Sequence, residues 1–486
     1  MIKNNSLIND AHHQFVASRS KELVNSWGLF DTLITRFFPD PLEIFRIIDK
    51  KFPEYNFYSL RISSQAELDK IGKPYIIYDI YHHMVLKGLS KHLADFLLHE
   101  EIKTEYLNIY PIKQLLDLVS EDDLVITDMY LSDQIIAELV RKKCGLKLNK
   151  PIIRSNWGKH SGTIWPVVQK NYILRMHFGD NNISDIEIPR KFNINTAHTT
   201  VSQLNFWENK IKNLNQEKLA LMLRESRLRA LPFKSDTILD IYAGPYLTLL
   251  FAFSMHLKNT YKNKRYFFLS RDSNDLSRIF YSMYPTSEIH QIDLSRKIIY
   301  SNNENSNIAL INQLGPDGVL VDFVSTGKSL FLWVANNNIK INKFVTLIFL
   351  DSLLDLKELE ERKKNINNGE FDYLYKQSNL NKHHYPLECL LQNESLSCTS
   401  MEADLNSGGN VRVVSKSDFT LDEKKILKIK NDLIQEFINS IQRRNFEIMD
   451  ASIINLLIEH SIAEILNAQH IVNYFPSFLA REQALI

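Results

Sequence analysis

Two stretches of the sequence carry residue types suited to holding a phosphate group. The first, VNSWGLFDTLITR (residues 24–36), is an apolar segment that runs into Asp31-Thr32-Leu33, as at a loop that closes around a phosphate. The second, GVLVDFVSTGKSL (residues 318–330), leads from an apolar segment into a turn rich in hydroxyls. Such a turn surrounds an anion with backbone N–H groups and hydroxyls, aided by the dipole of the following helix. Both stretches therefore predict phosphate chemistry at the end of a strand.

Two other patterns do not support a specific site. The Thr-Gly-Lys-Ser run is not a nucleoside-triphosphate P-loop, because G-x-x-x-x-G-K-[ST] requires glycine where the chain has Asp322. The adjacent pairs His12-His13 and His383-His384 are poor metal ligands, because neighbouring residues on a helix or strand point in different directions. We predict that these four histidines are surface residues.

The composition is that of a globular protein with more than one domain. The chain has 486 residues, 44% hydrophobic and 24% charged, and single cores rarely exceed about 250–300 residues. The net charge of +1 gives no signal for a nucleic-acid or membrane-surface partner. The three cysteines (Cys144, Cys389 and Cys398) are too few and too scattered for a disulfide framework or a zinc site. This cysteine usage suits a reducing cytoplasm.

No segment has the pattern of a signal peptide or a membrane span. The first residues, MIKNNSLINDAHHQF, lack an apolar core. The most apolar run, YLTLLFAFSM (residues 246–255), is shorter than the roughly 20 residues that cross a bilayer. We therefore expect a buried helix at this run and a cytoplasmic protein.

Strands and helices alternate in two parts of the chain. In the first, the strand DLVITDMYL (residues 123–131) precedes a helix, with Ser132 as its N-cap and Gly145 as its C-terminal stop. In the second, the predicted strands are RYFFLS, GVLVDFV and FVTLIFL. Such alternation predicts parallel sheets with functional groups at the strand ends.

The fold class predicted is α/β, with two sheets. We expect an N-terminal extension, a first domain with a helical insertion, a helical linker, a second α/β domain and a helical C-terminal region. Their residues are 1–21, 22–204 (insertion about 41–118), 205–235, 236–415 and 416–486.

Four motifs of the first domain resemble those of the haloacid dehalogenase (HAD) superfamily of phosphotransferases. They are SWGLFDTLITR, VITDMYLSDQ, GKHSGTIW and HFGDNNISD, which stand in the family's order within residues 22–200. The insertion resembles the helical cap of one bacterial branch, whose members are often found with enzymes of surface-glycan synthesis. The resemblance implies a Rossmannoid sheet with a cap and phosphoryl hydrolase or transferase chemistry.

The resemblance also implies roles for five residues. In this family an aspartate attacks phosphorus, a hydroxyl and a lysine hold the phosphoryl oxygens, and acids bind Mg²⁺. By position, Thr127 is the hydroxyl and Lys159 the lysine, while Asp180 and Asp185 are the metal ligands. Thr32 matches the threonine that supports the first loop beside the phosphate.

The nucleophile of this family is missing from the chain. Its position falls on Gly28, and the position of the usual general acid or base falls on Phe30. Asp31 is not expected to substitute, because three residues along a strand turn a side chain to the opposite face. The glycine removes the attacking group and a metal ligand together. We therefore expect a phosphate pocket without the covalent step and with weakened Mg²⁺ binding.

The second stretch resembles the loop of phosphoribosyltransferases, in which a strand ends in two acids followed by Thr-Gly-x-Thr. This resemblance covers about residues 236–355 and implies that Asp322 holds ribose hydroxyls, while Val321 replaces the first acid. Upstream, Arg271 is implied to face pyrophosphate, and Arg296 and Lys297 to close over the substrate. The implied phosphate cradle consists of Ser325, Thr326, Gly327, Lys328 and Ser329. The alternative is an ordinary turn between strand and helix, with Ser325 as a cap.

Three acids of the insertion, Glu100, Glu101 and Glu105, lie on one helical segment. We predict that they form a solvated face; contact with a polar substrate is the alternative.

Three functions are compatible with the sequence. The first is an enzyme that processes a phosphorylated sugar or nucleotide, in surface-glycan synthesis. The second is a binding or regulatory protein whose phosphate sites control an associated enzyme encoded nearby. The third is a defence effector that acts on nucleotides, an idea that rests on fold analogy alone.

Overall fold

The structure is a computed structural model of the chain. It describes residues 21–483 apart from 155–157, 234, 263, 271, 295–297, 300–306, 309, 312–313, 315–317, 338–342, 352–369, 379–382, 394–397, 404–409 and 415–418. The chain divides into two compact units. Unit 1 comprises Met1–Asn205 and Pro232–Lys234, and unit 2 comprises Phe206–Leu231 and Ser235–Ile486.

A parallel sheet of five strands, in the order β5-β4-β1-β6-β7, forms the centre of unit 1. The strands of unit 1 are β1 (Glu22–Trp27), β2 (Ile34–Arg36), β3 (Ile109–Pro111), β4 (Leu124–Thr127), β5 (Ile152–Arg154), β6 (Tyr172–Gly179) and β7 (Thr196–His198). The chain adds strands on one side of β1 and then crosses to the other side. The carboxyl end of β1 is therefore a topological switch point, where ligands of α/β sheets bind.

Nine α-helices of unit 1 are described. They are α1 (Glu43–Lys51), α2 (Phe57–Ile71), α3 (Ile77–Leu86), α4 (Lys91–Leu107), α5 (Lys113–Leu116), α6 (Asp133–Leu139), α7 (Gly158–Ser161), α8 (Ile164–Asn171) and α9 (Ile188–Arg190). Helices α1 to α4 lie between β2 and β3, which pair as an antiparallel ribbon. The ribbon is thus the stem of the helical insertion. Ser132 caps α6, as predicted, by accepting a hydrogen bond from the Ile135 N–H at 3.5 Å.

The prediction of a solvated acidic face on the insertion is wrong. All three glutamates of α4 are at least 93% buried, because the helix packs inside the insertion and each carboxylate meets a cation. The ion pairs are Lys51–Glu100 (2.5 Å), Arg61–Glu101 (2.8 Å) and Arg36–Glu105 (2.9 Å). Helical spacing placed the acids on one helix, but their partners come from elements far away in the sequence.

Unit 2 contains a second parallel sheet of five strands, in the order β12-β11-β10-β8-β9. Its strands are β8 (Arg265–Leu269), β9 (Ile289–Ile292), β10 (Gly318–Ser325), β11 (Lys343–Asp351) and β12 (Glu370–Ser378), and the antiparallel pair is β13 (Cys398–Ala403) and β14 (Asn410–Val414). The order reverses between β8 and β10, so the switch point lies at their carboxyl ends. The two parallel sheets confirm the predicted α/β class.

The described helices of unit 2 contribute to two apolar clusters, and the larger cluster takes all of them except the helix at Lys328–Asn336. They are α10 (Phe206–Asn213), α11 (Glu217–Ala230), α12 (Thr237–Ile241), α13 (Leu247–Thr260), α14 (Asn274–Met283), α15 (Lys328–Asn336), α16 (Tyr385–Leu390), α17 (Leu421–Arg444), α18 (Ala451–Asn467) and α19 (Pro476–Gln483). The division of the chain differs from the predicted one in two places. Most of the segment expected to be a linker belongs to unit 2, because α10 and α11 bury apolar residues in its core. The helices after residue 416 contribute to the same core.

The apolar run of residues 246–255 lies within a longer helical stretch, Thr237–Thr260. By length and composition this stretch is sufficient to cross a membrane, and it is the one such helix among the described residues. Its most apolar window is 89% buried in the unit 2 core, however. The prediction of a buried helix at this run is confirmed.

Candidate functional site

The loop after β1 is a tight turn held by its own backbone. The N–H groups of Leu33 and Ile34 donate to the Leu29 carbonyl at 2.8 and 3.0 Å, and the Asp31 N–H donates to the Ile34 carbonyl at 2.6 Å. Asp31 has a φ of +56°, a region where aspartate is tolerated better than most residues. Its carboxylate accepts a hydrogen bond from the Thr35 hydroxyl at 2.6 Å. The hydrogen bond to Thr35 thus holds the Asp31 carboxylate within the turn.

Gly28 is buried at the carboxyl end of β1, and its N–H donates to the Phe178 carbonyl at 2.8 Å. Its φ is not positive, so the backbone does not require glycine. A Cβ atom at this position would lie 2.8 Å from the Thr32 hydroxyl oxygen. That hydroxyl donates to Asp180 Oδ1 at 3.1 Å. Thr32 therefore occupies the edge of the space that a side chain at position 28 would enter.

A buried polar chain lies beside this position. The Lys159 ammonium forms an ion pair with the Asp185 carboxylate and lies 3.5 Å from the Ile126 carbonyl. His177 Nε2 lies 3.1 Å from Asp185 Oδ1, and its Nδ1 lies 2.8 Å from the Ser26 hydroxyl. Burial lowers the pKa of His177, so its ring is neutral at neutral pH. We assign the ring proton to Nε2, which donates to Asp185, while Nδ1 accepts from Ser26.

The two acids of the GDNNISD loop differ in their electrostatics. Burial, together with the negative charges of Asp31 and Asp185, raises the pKa of Asp180 to about 6. Burial also acts to raise the pKa of Asp185, but the Lys159 charge and the His177 hydrogen bond outweigh it and hold that pKa well below its usual value. Asp185 therefore stays ionised, and Asp180 is the carboxyl that titrates near neutral pH.

The loop after β4 positions Lys159. Thr127 is buried at the end of the strand, and its hydroxyl accepts from the Met129 N–H at 3.2 Å. The Asp128 carboxylate accepts from the N–H groups of Lys159 and His160, both at 3.2 Å. Asp128 thereby satisfies two N–H groups of α7, the short helix that carries the lysine.

Three residues of the site were not predicted from the sequence: Ser26, Asp128 and His177. Ser26 pairs with His177 in the register of β1 and β6. Ser26 stands two residues before Gly28, and His177 stands two residues before Gly179. Because side chains alternate along a strand, each lies on the same face of the sheet as the glycine position that follows it. A polar residue at the same offset before a glycine in two strands was the signal that could have found Ser26 and His177.

The residues present do not fit a resident Mg²⁺ held by protein side chains. Mg²⁺ demands near-octahedral oxygen ligands. Asp185 is committed to Lys159, to His177 and to the Asn181 N–H at 3.1 Å, and Gly28 supplies no carboxylate. Among the described residues, no group of three or more His, Cys, Asp or Glu side chains is placed to hold a metal. We therefore derive no step through this ion.

In unit 2 the turn after β10 uses its hydroxyls on its own backbone. Ser325 Oγ accepts from the Gly327 N–H at 3.0 Å, and Thr326 Oγ1 accepts from the Lys328 N–H at 3.4 Å. Gly327 has a φ of +70°, and a Cβ there would lie 2.4 Å from the Phe331 ring. The contacts are those of a self-capped turn, with Lys328 exposed and Ser329 half-buried in the first turn of α15.

Asp322 and Val321 lie on opposite faces of β10. Asp322 is half-buried, and its Oδ1 lies 2.8 Å from the Phe323 N–H, which donates to it. Val321 is fully buried in the main core of the unit. The side chain that replaces the first acid of the resemblance is thus directed into the core.

Several predicted residues fall outside the described part of the chain. They are Arg271, Arg296, Lys297 and the pair His12-His13. His383 is exposed, as predicted, but the prediction for His384 is wrong. His384 is 96% buried against the Tyr385 ring, and burial, with a contribution from His383, lowers its pKa to about 4.

The structure brings six predicted positions of unit 1 to one edge of its sheet: Gly28, Thr32, Thr127, Lys159, Asp180 and Asp185. No protein-family model and no curated protein matches the chain. A function for this protein therefore rests on the geometry of its own sites.

Proposed function

We propose that the protein binds the phosphate group of a phosphorylated sugar or nucleotide, and that unit 1 does so without forming an aspartyl-phosphate. The observation that carries this proposal is the arrangement around Gly28. There the Thr32–Asp180 hydrogen bond of 3.1 Å and the Lys159–Asp185 ion pair meet at the switch point of a parallel sheet. We interpret unit 1 as a HAD-like fold that kept its phosphate pocket and lost its nucleophile.

The polar groups of this pocket have complementary roles toward a phosphate. The Lys159 ammonium supplies positive charge, and the Thr127 hydroxyl supplies a hydrogen bond to a phosphoryl oxygen. The Thr32 hydroxyl donates to Asp180 and so positions that carboxyl beside the ligand. Ionised Asp180 repels the ligand, whereas protonated Asp180 donates a hydrogen bond to it. Because the pKa of Asp180 is already about 6, phosphate binding is coupled to proton uptake by this carboxyl.

Among the described residues of this pocket, neither Gly28 nor Asp31 supplies a nucleophile for the covalent step. Gly28 has no side chain, and the Asp31 carboxylate is held by Thr35 in a turn with positive φ. Aspartyl-phosphate formation requires a carboxylate in line with the phosphorus atom. Binding or sensing of a phosphorylated ligand is therefore the function that these contacts support best in unit 1.

For unit 2 we propose a phosphoribosyltransferase-like module that binds a ribose phosphate. Its switch point carries the turn with Ser325 and Thr326, whose N–H groups and hydroxyls are arranged around the start of α15. Both ligands belong to the metabolism of sugar phosphates and nucleotides. This assignment favours a cytoplasmic protein that serves a pathway such as surface-glycan synthesis.

Two measurements on the full chain test the proposal for unit 1. Hydrolysis of an aryl phosphate, with and without Mg²⁺, is measured for the wild type and for Gly28→Asp, with Ser63→Asp as a control that adds an aspartate at an exposed position of α2. We expect no turnover by the wild type or the control. Mg²⁺-dependent hydrolysis by the wild type would show that the loss of the carboxylate does not prevent catalysis. A gain by Gly28→Asp alone would show that the rest of the pocket is complete.

Calorimetric titration with inorganic phosphate and ribose 5-phosphate measures binding directly. We expect Thr127→Val, which removes one hydroxyl and keeps the side-chain shape, to weaken binding at unit 1 about tenfold, as for one charge-assisted hydrogen bond. The matched control is Thr104→Val on the cap helix α4. Equal affinities for the wild type, Thr127→Val and Thr104→Val would contradict a phosphate site at Thr127.

A further inference from the structure

A second group of polar side chains is buried in unit 2, on residues outside the turn after β10. It consists of Tyr242, Tyr246, Asp275 and Lys430, each at most 2% exposed, and we call it the Lys430 cluster. Lys430 Nζ lies 2.7 Å from Asp275 Oδ2, and the Tyr246 hydroxyl donates to the same oxygen at 2.8 Å. The Lys430 nitrogen also lies 5.7 and 5.9 Å from the ring centres of Tyr242 and Tyr246.

The ammonium of this cluster has a full set of partners. Besides Asp275, Lys430 donates to the carbonyls of Leu390 and Gln392 at 3.2 and 2.5 Å. An ammonium has three donors, so all are used. The charge of Asp275 is balanced by the same contact. The ion pair therefore needs no further group.

Two atoms of the cluster lack a partner. Neither the Tyr242 hydroxyl nor Asp275 Oδ1 has a hydrogen-bond partner among the described residues, although both atoms are buried. Buried polar atoms in native proteins are nearly always paired, with protein, ligand or ordered water. The missing partners are an acceptor for the tyrosine and a donor for the carboxylate. A single hydroxyl group supplies both.

The cluster lies at the switch point of the unit 2 sheet. Asp275 is in the first turn of α14, directly after β8, and Tyr246 immediately precedes α13, whose carboxyl end leads into β8. The Ser273 hydroxyl donates to the Val321 carbonyl at 3.3 Å and ties the loop after β8 to β10. The cluster is therefore at the same sheet edge as the turn at residues 325–329.

We propose that the Lys430 cluster is the sugar-hydroxyl subsite of unit 2. Asp275 and Tyr242 bind a hydroxyl of the ligand whose phosphate is held by the turn at residues 325–329, so this inference rests on the proposed function. Val321 is directed into the core and offers no carboxylate, and Asp275 supplies one from the first turn of α14 instead. A tightly bound water has the same hydroxyl chemistry as the ligand, and the experiment separates the two sources.

The test compares ribose 5-phosphate with inorganic phosphate on the full chain. Tyr242→Phe removes one hydroxyl, and Tyr266→Phe is the matched control, because its buried hydroxyl donates to the Tyr261 carbonyl at 2.7 Å. Titration calorimetry is carried out on both variants and on Thr326→Ala. The binding signal that Thr326→Ala weakens is the one that belongs to the unit 2 site. We expect Tyr242→Phe to weaken ribose 5-phosphate about tenfold and to leave inorganic phosphate unchanged.

The remaining outcomes overturn the inference in distinguishable ways. Unchanged affinity for both ligands in Tyr242→Phe means that the cluster holds only water. Equal weakening of both ligands, or the same effect in Tyr266→Phe, means that the substitution acts through the fold. Absence of a unit 2 site in the wild-type isotherm refutes the proposed function itself.

Discussion

Gly28 in unit 1 and Gly327 in unit 2 both follow the carboxyl end of a central strand, but the backbone requires glycine at only one of them. Gly327 has a φ of +70°, and the Phe331 ring lies where its Cβ would be. Gly28 has an ordinary φ, and its nearest obstacle is a rotatable hydroxyl. The glycine of unit 2 is thus explained by the conformation of the turn, whereas the glycine of unit 1 marks a position where a side chain could stand.

The two sites also differ in what holds their polar groups. In unit 1, charged side chains pair with one another, as in Lys159–Asp185. In unit 2, hydroxyls pair with the backbone of their own turn, as in Ser325 with Gly327. Ligand binding in unit 1 should therefore depend on pH and on the buried charges. Ligand binding in unit 2 should instead require that hydroxyls of the turn exchange their backbone partners for the ligand.

The largest effect is expected from breaking the buried ion pair of unit 1. Lys159→Met leaves the Asp185 carboxylate, which is 1% exposed, without its cation. Removing one partner of a buried pair costs about 3–5 kcal/mol of unfolding free energy. Urea denaturation measures the loss, and the double variant Lys159→Met/Asp185→Asn should recover much of it.

The control for this prediction is an exposed pair in the same unit. Lys113 and Asp117 are 2.8 Å apart on the surface of α5, and Lys113→Met should cost less than about 1 kcal/mol. Similar losses for Lys113→Met and Lys159→Met would show that the Lys159–Asp185 pair is not important for folding.

The next effect sharpens the contrast between the glycines. Gly327→Ala combines a positive φ with a clash against a ring, and we expect a cost of about 2–4 kcal/mol. Gly28→Ala meets only the Thr32 hydroxyl, and we expect about 1–2 kcal/mol. Thermal unfolding of both variants measures the difference.

A double variant identifies the obstacle at position 28. In Gly28→Ala/Thr32→Ala the hydroxyl oxygen is gone, so the cost of the two changes should be less than the sum of the single costs. Additive costs would mean that the backbone, and not Thr32, resists a side chain there.

The sequence was informative where local pattern determines structure. Strand β10 and the helix capped by Ser132 follow from apolar runs and capping residues, and the α/β class follows from their alternation. The strand ends of a parallel sheet lie along one edge, which is why motifs far apart in the chain, such as Thr32 and Asp180, could be expected to meet. These parts of the prediction required no knowledge of register.

What the sequence could not provide is long-range pairing. Ser26 and His177 are 151 residues apart, and their contact depends on the register of β1 against β6. The burial of Glu101 depends on Arg61 from another helix. The position of α10 and α11 in unit 2 depends on which core covers their apolar faces. Polar composition favoured a solvated face for the glutamates of α4 and a helical linker for the segment of α10 and α11.

The third prediction uses the raised pKa of Asp180. Between the ordinary value of 3.8 and about 6, the folded protein keeps a proton that the unfolded chain has released. Stability therefore falls as pH rises through this window and stays low above it. Asp180→Asn keeps an oxygen that accepts from Thr32 and removes the half-buried charge. We expect it to stabilise the protein at pH 7.5 by about 1–3 kcal/mol and not at pH 4.

Urea denaturation at both pH values checks this expectation. The matched variant is Asp117→Asn, at an exposed carboxyl, which should change stability little at either pH. An equal gain for Asp180→Asn at pH 4 and pH 7.5 would mean that packing, and not the charge of Asp180, is responsible. The same pH range should show tighter phosphate binding at the acidic end, because protonated Asp180 donates to the ligand.

The smallest expected effect on stability is that of Ser325→Ala, and the same variant tests whether the turn after β10 binds phosphate. Ser325→Ala removes the oxygen that accepts from the Gly327 N–H, and we expect a loss of about 0.5–1 kcal/mol in unfolding free energy. The two interpretations of the turn predict different changes in phosphate affinity for Ser325→Ala. If the hydroxyl only caps the backbone, its removal frees an N–H group for an anion, and phosphate affinity is unchanged or rises. If the hydroxyl contacts the phosphate, as we propose, phosphate affinity at unit 2 falls about threefold to tenfold. Calorimetry measures the direction of this change, and a fall in affinity distinguishes a phosphate site from a plain turn.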